Sequence, residues 1–223
     1  MNIVSVAVGA QYELEVQRLT KAYPQTIVIT ERTPGVETSF ELSILNGLAT
    51  KCKFGLLVSE DLKGPIIFCD ADLYPVVEDP LQYFKVKEET DIAYVIYPGT
   101  WHFPPCLVSF QEAIKKTGKI NSGFMYFRNI EVCRDVCSKW HKEYLKRMNL
   151  HLQGIEKADL TGEYDEPSLV FVLNKENYNI EFLDPKWNVW PTSNVQSSEA
   201  FFVQNHLNGW NMYSYTPGFK NEA

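Results

Sequence analysis

The stretch from Pro65 to Val77, Pro-Ile-Ile-Phe-Cys-Asp-Ala-Asp-Leu-Tyr-Pro-Val-Val, constrains the fold more than any other. An apolar run leaves a Gly-Pro turn and stops on two carboxylates separated by one small residue. The run is too short for an ordinary helix and rich in Ile and Phe, so it predicts a buried strand. Open α/β sheets bind ligands at the carboxyl ends of their strands, where Asp70 and Asp72 then stand. At i and i+2 on a bending strand end, both carboxylates can turn toward one hard cation. Oxygen ligands of this kind suit Mg²⁺ or Mn²⁺, which commonly bridge to phosphate oxygens. A lone Asp-x-Asp also serves as a turn cap. The apolar strand before it and three further stretches downstream favour the metal–phosphate reading.

At 223 residues the chain can bury one substantial core, and a single domain is expected. The net charge of -7 gives no general attraction to nucleic acid or to an anionic membrane. No stretch has the length of a membrane span, and the amino terminus lacks a signal-peptide pattern. The five cysteines are odd in number and lie mostly in apolar surroundings. They read as reduced core residues of a cytoplasmic protein.

Asn2 to Val8 is rich in Val and Ile and predicts a first, central strand. Gly9-Ala10-Gln11-Tyr12 leads into a helix to about Ala22, a strand–turn–helix arrangement common at nucleotide sites. No G-x-G-x-x-G is present, so a dinucleotide site is not supported. Tyr12 either stacks on a nucleobase or packs at the helix start. Thr26 to Thr30 is a second strand, and Phe40, Ile44 and Leu48 recur at i+4 on a second helix. Arg32, Lys51 and Lys53 either reach a diphosphate or are simply solvated. Phe54 to Leu62 reads as a further helix before the central strand. The order strand–helix–strand–helix–strand is that of a doubly wound α/β half.

Ile92 to Ile96 is another buried strand, followed from Tyr97 to Pro105 by a loop bearing Trp101, His102 and Phe103. That loop fits a sugar face or a lid over the core. Asn121-Ser122-Gly123 lets backbone approach a ligand closely, and the rest of the stretch to Asn129 alternates as in a strand. Ile130 to Met148 is the longest helix, with Cys133, Cys137, Trp140, Tyr144 and Met148 on its apolar face. Arg134, Lys139, Lys142, Lys146 and Arg147 form a basic flank. Cys133, Cys137 and His141 lack a fourth ligand at a usual spacing, so zinc is not expected there. Asp165-Glu166-Pro167 opens a helix; Asp165 fits a cap, and both carboxylates are placed to orient or deprotonate a hydroxyl. A late strand, Ile180 to Leu183, precedes Asp184-Pro185-Lys186-Trp187-Asn188. Finally, His206 at the end of an apolar strand, with Gly209 three residues on, is a candidate third metal ligand.

In this order, Ile67-Phe68-Cys69-Asp70-Ala71-Asp72, Asn121-Ser122-Gly123, Asp165-Glu166, Leu183 to Asn188 and His206-x-x-Gly209 resemble the GT-A glycosyltransferases. The likeness is to the nucleotide-diphospho-sugar transferases related to glycogenin and bacterial galactosyltransferases. It implies an α/β fold of GT-A type, one Rossmann-like domain with a mixed, mainly parallel sheet flanked by helices. Residues 1–85 would be the nucleotide-binding half and 86–223 the acceptor half. Asp70, Asp72 and His206 would hold Mn²⁺ or Mg²⁺ against the diphosphate of a nucleotide-sugar, a UDP-sugar being favoured. Val8, Gly9, Tyr12, Lys53 and Ala71 would hold the nucleotide with the Asp pair. Asn121, Ser122, Gly123 and Asp165 would face the sugar, with Asp165 and Glu166 as catalytic candidates. Gly209 and Lys186 would meet the diphosphate. Met212 replaces the family's usual Lys after the late Gly, so that contact must be absent or come from Lys186 or Lys220.

Three other readings share parts of this pattern. A sugar nucleotidyltransferase usually carries a Gly-rich, basic loop after its first strand, unlike Gly9 to Tyr12. A non-catalytic sugar-nucleotide-binding module has no need of an intact Asp70, Asp72 and His206 set. A transferase acting on hydroxylated bases in DNA is opposed by the acidic composition, while the basic flank of the long helix leaves it open. The favoured partners are a nucleotide-sugar donor and a hydroxyl-bearing acceptor.

Overall fold

The computed structural model of the chain describes residues 1–41, 43–96, 108–153, 165–189 and 200–204. Its elements run β1 (Asn2–Ala7), α1 (Ala10–Ala22), β2 (Ile27–Thr30), α2 (Ser43–Cys52), α3 (Phe54–Leu57), β3 (Ile66–Cys69) and β4 (Leu73–Pro75). They continue with β5 (Ile92–Ile96), α4 (Val108–Thr117), β6 (Ile120–Phe127), α5 (Ile130–Leu152), α6 (Asp165–Lys175), β7 (Ile180–Leu183) and β8 (Phe202–Gln204). Short 3₁₀ turns stand at Pro80–Tyr83 and Pro185–Trp187.

Six strands form one sheet in the order β2-β1-β3-β6-β5-β7. The β1–β2, β1–β3 and β5–β7 pairs are parallel, whereas β6 runs antiparallel between β3 and β5. The sheet is therefore mixed and mainly parallel. Strands from both halves of the chain share it, and β6 is the seam between them.

Alternation along each strand sorts side chains onto two faces. Val4, Val6, Ile66, Phe68, Ile92, Tyr94, Met125 and Phe127 enter one core cluster. Ile3, Ala7, Ile67, Cys69, Ala93, Val95, Phe124 and Tyr126 enter the other. The first face is covered by α2, α3, α5 and α6. There Cys133, Cys137, Trp140, Tyr144 and Met148 are all buried, as their i+3 and i+4 spacing predicts. The second face carries α1 and an aromatic cluster in which Trp187 lies 5.4 Å, ring to ring, from Phe124.

Two expectations need correction. The helix expected over Phe54 to Leu62 is a single turn, Phe54–Leu57, because Ser59, Glu60 and Asp61 favour a turn closed by Leu62 N–H donating to the Ser59 carbonyl. The strand expected to reach Asn129 ends at Phe127, and Asn129 instead caps α5, its Oδ1 accepting from Val132 N–H at 2.9 Å. No described helix is long and apolar enough to cross a membrane. The loop 97–105, Cys106 and the chain beyond Gln204 lie outside the described residues.

Candidate active site

The carboxyl ends of β1 and β3 and the start of β6 meet at one edge of the sheet. Asp70 N–H donates to the Gly123 carbonyl at 2.8 Å, extending the β3–β6 ladder by one bond. The chain then turns, with Leu73 N–H donating to the Asp70 carbonyl at 3.0 Å. That turn brings Asp70 and Asp72 to the same partner. Nε2 of Gln204, on β8, donates to Asp70 Oδ2 and to Asp72 Oδ1, each at 3.1 Å.

Lys51, near the end of α2, is the hub. Its Nζ stands 2.8 Å from Asp70 Oδ1, 3.0 Å from Asp165 Oδ2 and 2.9 Å from Ser122 Oγ. Ser122 Oγ in turn lies 2.7 Å from Asp165 Oδ2 and 3.2 Å from Glu166 Oε1. A hydroxyl has one proton to give, and the shorter contact with Asp165 takes it. Asp165 is fixed from behind as well, since its backbone carbonyl accepts from Trp140 Nε1 at 2.9 Å and from Ser168 Oγ. The first turn of α6 is thereby tied to α2, α5 and β6.

Asn121 Oδ1 accepts from Gly123 N–H at 3.0 Å and from Asn188 Nδ2 at 2.7 Å. A Cβ on Gly123 would collide with Asn188 Nδ2 and stand 2.9 Å from Gln204 Oε1 and 3.1 Å from Asp70 Oδ2. Glycine is required here by close approach. Gly9 is required by conformation, since its φ of 104° lets the chain turn from β1 into α1.

Charge at this edge is unbalanced. Asp70, Asp72, Asp165 and Glu166 surround the Lys51 ammonium. Burial, then the charge of Asp70, pushes Asp72 up to about 7. Burial, then the charge of Asp165, pushes Glu166 up to about 8. Burial also raises Asp70, against the pull of Lys51. Burial alone would lower Lys51, but the charges of Asp165 and Asp70 outweigh it and raise the ammonium well above its ordinary value. The Tyr12 phenol is raised by burial, with Asp72 and Asp70 adding to the effect.

Such a cluster suits a ligand that brings positive charge. Among the described residues no three His, Cys, Asp or Glu side chains form a ready metal centre. The donors present are nonetheless hard oxygens: two carboxylates and, beside them, the buried Gln204 Oε1, which lacks a hydrogen-bond partner among the described residues. They fit Mg²⁺ or Mn²⁺ in chemistry.

The fold thus gathers Asp70, Asp72, Asn121, Ser122, Gly123, Asp165 and Glu166 at one edge, with Val8, Gly9 and Ala71 on the adjoining strand ends. Lys53 points elsewhere and pairs with Glu37 at 3.2 Å, where His141 also stands at 3.5 Å. Lys186 closes the turn before Asn188, its backbone N–H donating to Asp184 Oδ1. His206 and Gly209 lie outside the described residues. From sequence Lys51 reads either as a diphosphate contact or as a solvated cation, not as a buried hub, and Gln204 is not singled out. The signals were present: Ile44, Leu48 and Lys51 fall at i, i+4 and i+7 on the apolar stripe of α2, and Gln204 is the polar residue in Phe201-Phe202-Val203-Gln204.

A glycosyltransferase involved in the glycosylation of the major capsid of PBCV-1 matches this structure with a TM-score of 0.57 at 10% identity, over 92% of this chain and 92% of that one. The galactosyltransferase LgtC in complex with donor and acceptor sugar analogues matches with 0.51 at 12% identity, over 92% and 87%. The WbbM bifunctional glycosyltransferase matches with 0.52 at 11% identity, over 92% of this chain and 45% of that one. These likenesses show that the chain has the GT-A fold. No family model and no curated protein matches its sequence.

Proposed function

We propose that this chain is a glycosyltransferase moving a sugar from a nucleotide-diphospho-sugar, a UDP-sugar being favoured, to an acceptor hydroxyl. The observation that carries the reading is the buried bridge of Lys51 between Asp70 and Asp165. It joins the metal–phosphate candidates at the end of β3 to the sugar-facing candidates at the start of α6, on a fold shared with glycosyltransferases.

In this reading Asp70, Asp72 and His206 would hold Mn²⁺ or Mg²⁺. When bound there, such an ion would supply Lewis-acid stabilisation of the diphosphate leaving group. The end of β1 and Tyr12 accept the nucleotide. Asn121, held by Asn188, faces the sugar, and Gly123 leaves the space in which Asn188 Nδ2 and Gln204 Oε1 pack beside Asp70. Lys51 holds Asp165 in place, so this carboxylate can orient a sugar or acceptor hydroxyl. Burial, then the charge of Asp165, pushes Glu166 up to about 8, which favours its protonated form and a hydrogen-bond donor beside the Asp165 acceptor. Asp165 and Glu166 thus have different tasks.

An acceptor in DNA is not favoured. Arg134 pairs with Glu60, Lys139 with Asp135 and Glu176, and Arg147 with Glu143, so much of the basic flank of α5 is already matched by carboxylates.

The test is thermal shift with a panel of nucleotide-sugars, with and without Mn²⁺, on wild type and Asp72→Ala. Metal-dependent stabilisation by one donor, lost in the variant, supports the transferase and names the donor class. No shift with any donor counts against it.

A further inference from the structure

The turn carrying Asp70 and Asp72 is followed by β4, and β8 pairs against it with Gln204 opposite Leu73. Gln204 is 3% exposed. One end of its amide is fully used, because Nε2 donates to both Asp70 Oδ2 and Asp72 Oδ1. The other end is not: Oε1 is buried and has no hydrogen-bond partner among the described residues. A buried carbonyl left unpaired destabilises the fold, which calls for a reason. The backbone beneath it is fixed, since Gln204 N–H donates to the Val189 carbonyl at 2.9 Å and anchors the strand end.

We propose that Gln204 is a further oxygen donor to the divalent cation at Asp70 and Asp72, its amide turning over as the ion loads. This rests on the cation-dependent reading above. The terminal torsion of glutamine is broad and two-fold, and half a turn exchanges Nε2 with Oε1 at little change in shape. Without a cation, Nε2 between the two carboxylates offsets their repulsion. With a cation there, the same N–H groups would face a positive ion, whereas Oε1 is a ligand type that hard cations accept beside carboxylates. The missing Cβ of Gly123 leaves room on the Oε1 side, where the two positions would be 2.9 Å apart. The orphaned oxygen is then the half of the amide that waits for the ion.

The experiment measures Mn²⁺ binding to the whole chain by electron paramagnetic resonance, with and without UDP, for wild type, Gln204→Met, Gln204→Glu and Asp72→Ala. Gln204→Met is expected to weaken Mn²⁺ binding about tenfold or more, in the range seen when groups supporting a metal are removed. Gln204→Glu is expected to bind at least as tightly as wild type and to show a larger Mn²⁺-induced rise in Tm, because its metal-free form crowds three carboxylates. Unchanged or tighter binding by Gln204→Met, with binding lost in Asp72→Ala, overturns the proposal and leaves the cation site standing. If Gln204→Met does not fold, weaker binding by Gln204→Glu than by wild type overturns it instead. Absence of Mn²⁺ binding by wild type in both conditions overturns the cation site and the proposal together.

Discussion

The ammonium of Lys51 stands 3.0 Å from Asp165 Oδ2, joining the last turn of α2 to the first turn of α6 in a buried site. Lys51 is 7% exposed and Asp165 4%, so water does little to screen the pair. Removing one partner leaves the other as an uncompensated buried charge. Lys51→Met is therefore expected to destabilise the fold by about 3–5 kcal/mol, read as a lower urea midpoint. Lys51→Arg keeps the charge but not the compact three-way geometry, and should fall between the two.

Glu166 gives a pH dependence of opposite sign to the usual carboxylate. Its folded-state value is raised to about 8, by burial first and Asp165 second, above the ordinary 4.5. The folded protein binds that proton more tightly than the unfolded chain does. Its contribution is fully present below pH 4.5 and is lost as pH rises through 8. Glu166→Gln removes the dependence, so its Tm relative to wild type should climb between pH 5 and 8. A gain of about 1–3 kcal/mol at pH 8 corresponds to several degrees for a chain of this size. A Tm difference that stays flat across this range counts against the assignment.

Glu37 behaves in the ordinary sense. Burial would raise it, but hydrogen bonds from Ser39 and Lys53 and the Lys53 charge outweigh burial and hold it at about 2. Its contribution is present above pH 4.5 and is lost as pH falls toward 2. The acid limb of the wild-type stability curve should therefore be steeper than that of Glu37→Gln, with the two converging near pH 2. Thermal melts between pH 2 and 6 measure this directly.

Gly123→Ala tests close approach at the site. The added methyl would meet Asn188 Nδ2, Gln204 Oε1 and Asp70 Oδ2 together. Overpacking of this kind costs about 1–3 kcal/mol. The expected result is a lowered Tm together with weaker nucleotide-sugar binding, since relief requires moving Asn188 or Gln204. Unchanged binding at lowered Tm would make Gly123 a packing residue only.

Strand identity was legible in the sequence because burial on both faces leaves short runs of Val, Ile and Phe. The face of α5 was legible from the i+3 and i+4 spacing of Cys133, Cys137, Trp140 and Tyr144. The short extent of α3 was less so, because an apolar segment after a helix reads as more helix until Ser59 to Asp61 is recognised as a turn. The direction of β6 was not legible at all. Alternation of Phe124 and Tyr126 against Met125 and Phe127 is the same for a parallel and an antiparallel strand, and only pairing with β3 and β5 decides it.

The same division runs through the site. By itself the sequence determined which carboxylates end a buried strand and which open a helix, since Asp70, Asp72, Asp165 and Glu166 are marked by local pattern. Tertiary structure decided their partners. Lys51 and Lys53 are two residues apart on adjoining turns, yet one is buried among Asp70, Ser122 and Asp165 while the other pairs with Glu37. Gln204 meets Asp70 and Asp72 only because β8 returns to lie against β4. Local pattern records what a residue can bury or bend, because those preferences act within a few residues. Which buried charge meets which counter-charge depends on contacts between segments far apart in the chain, and these exist only once the sheet has closed.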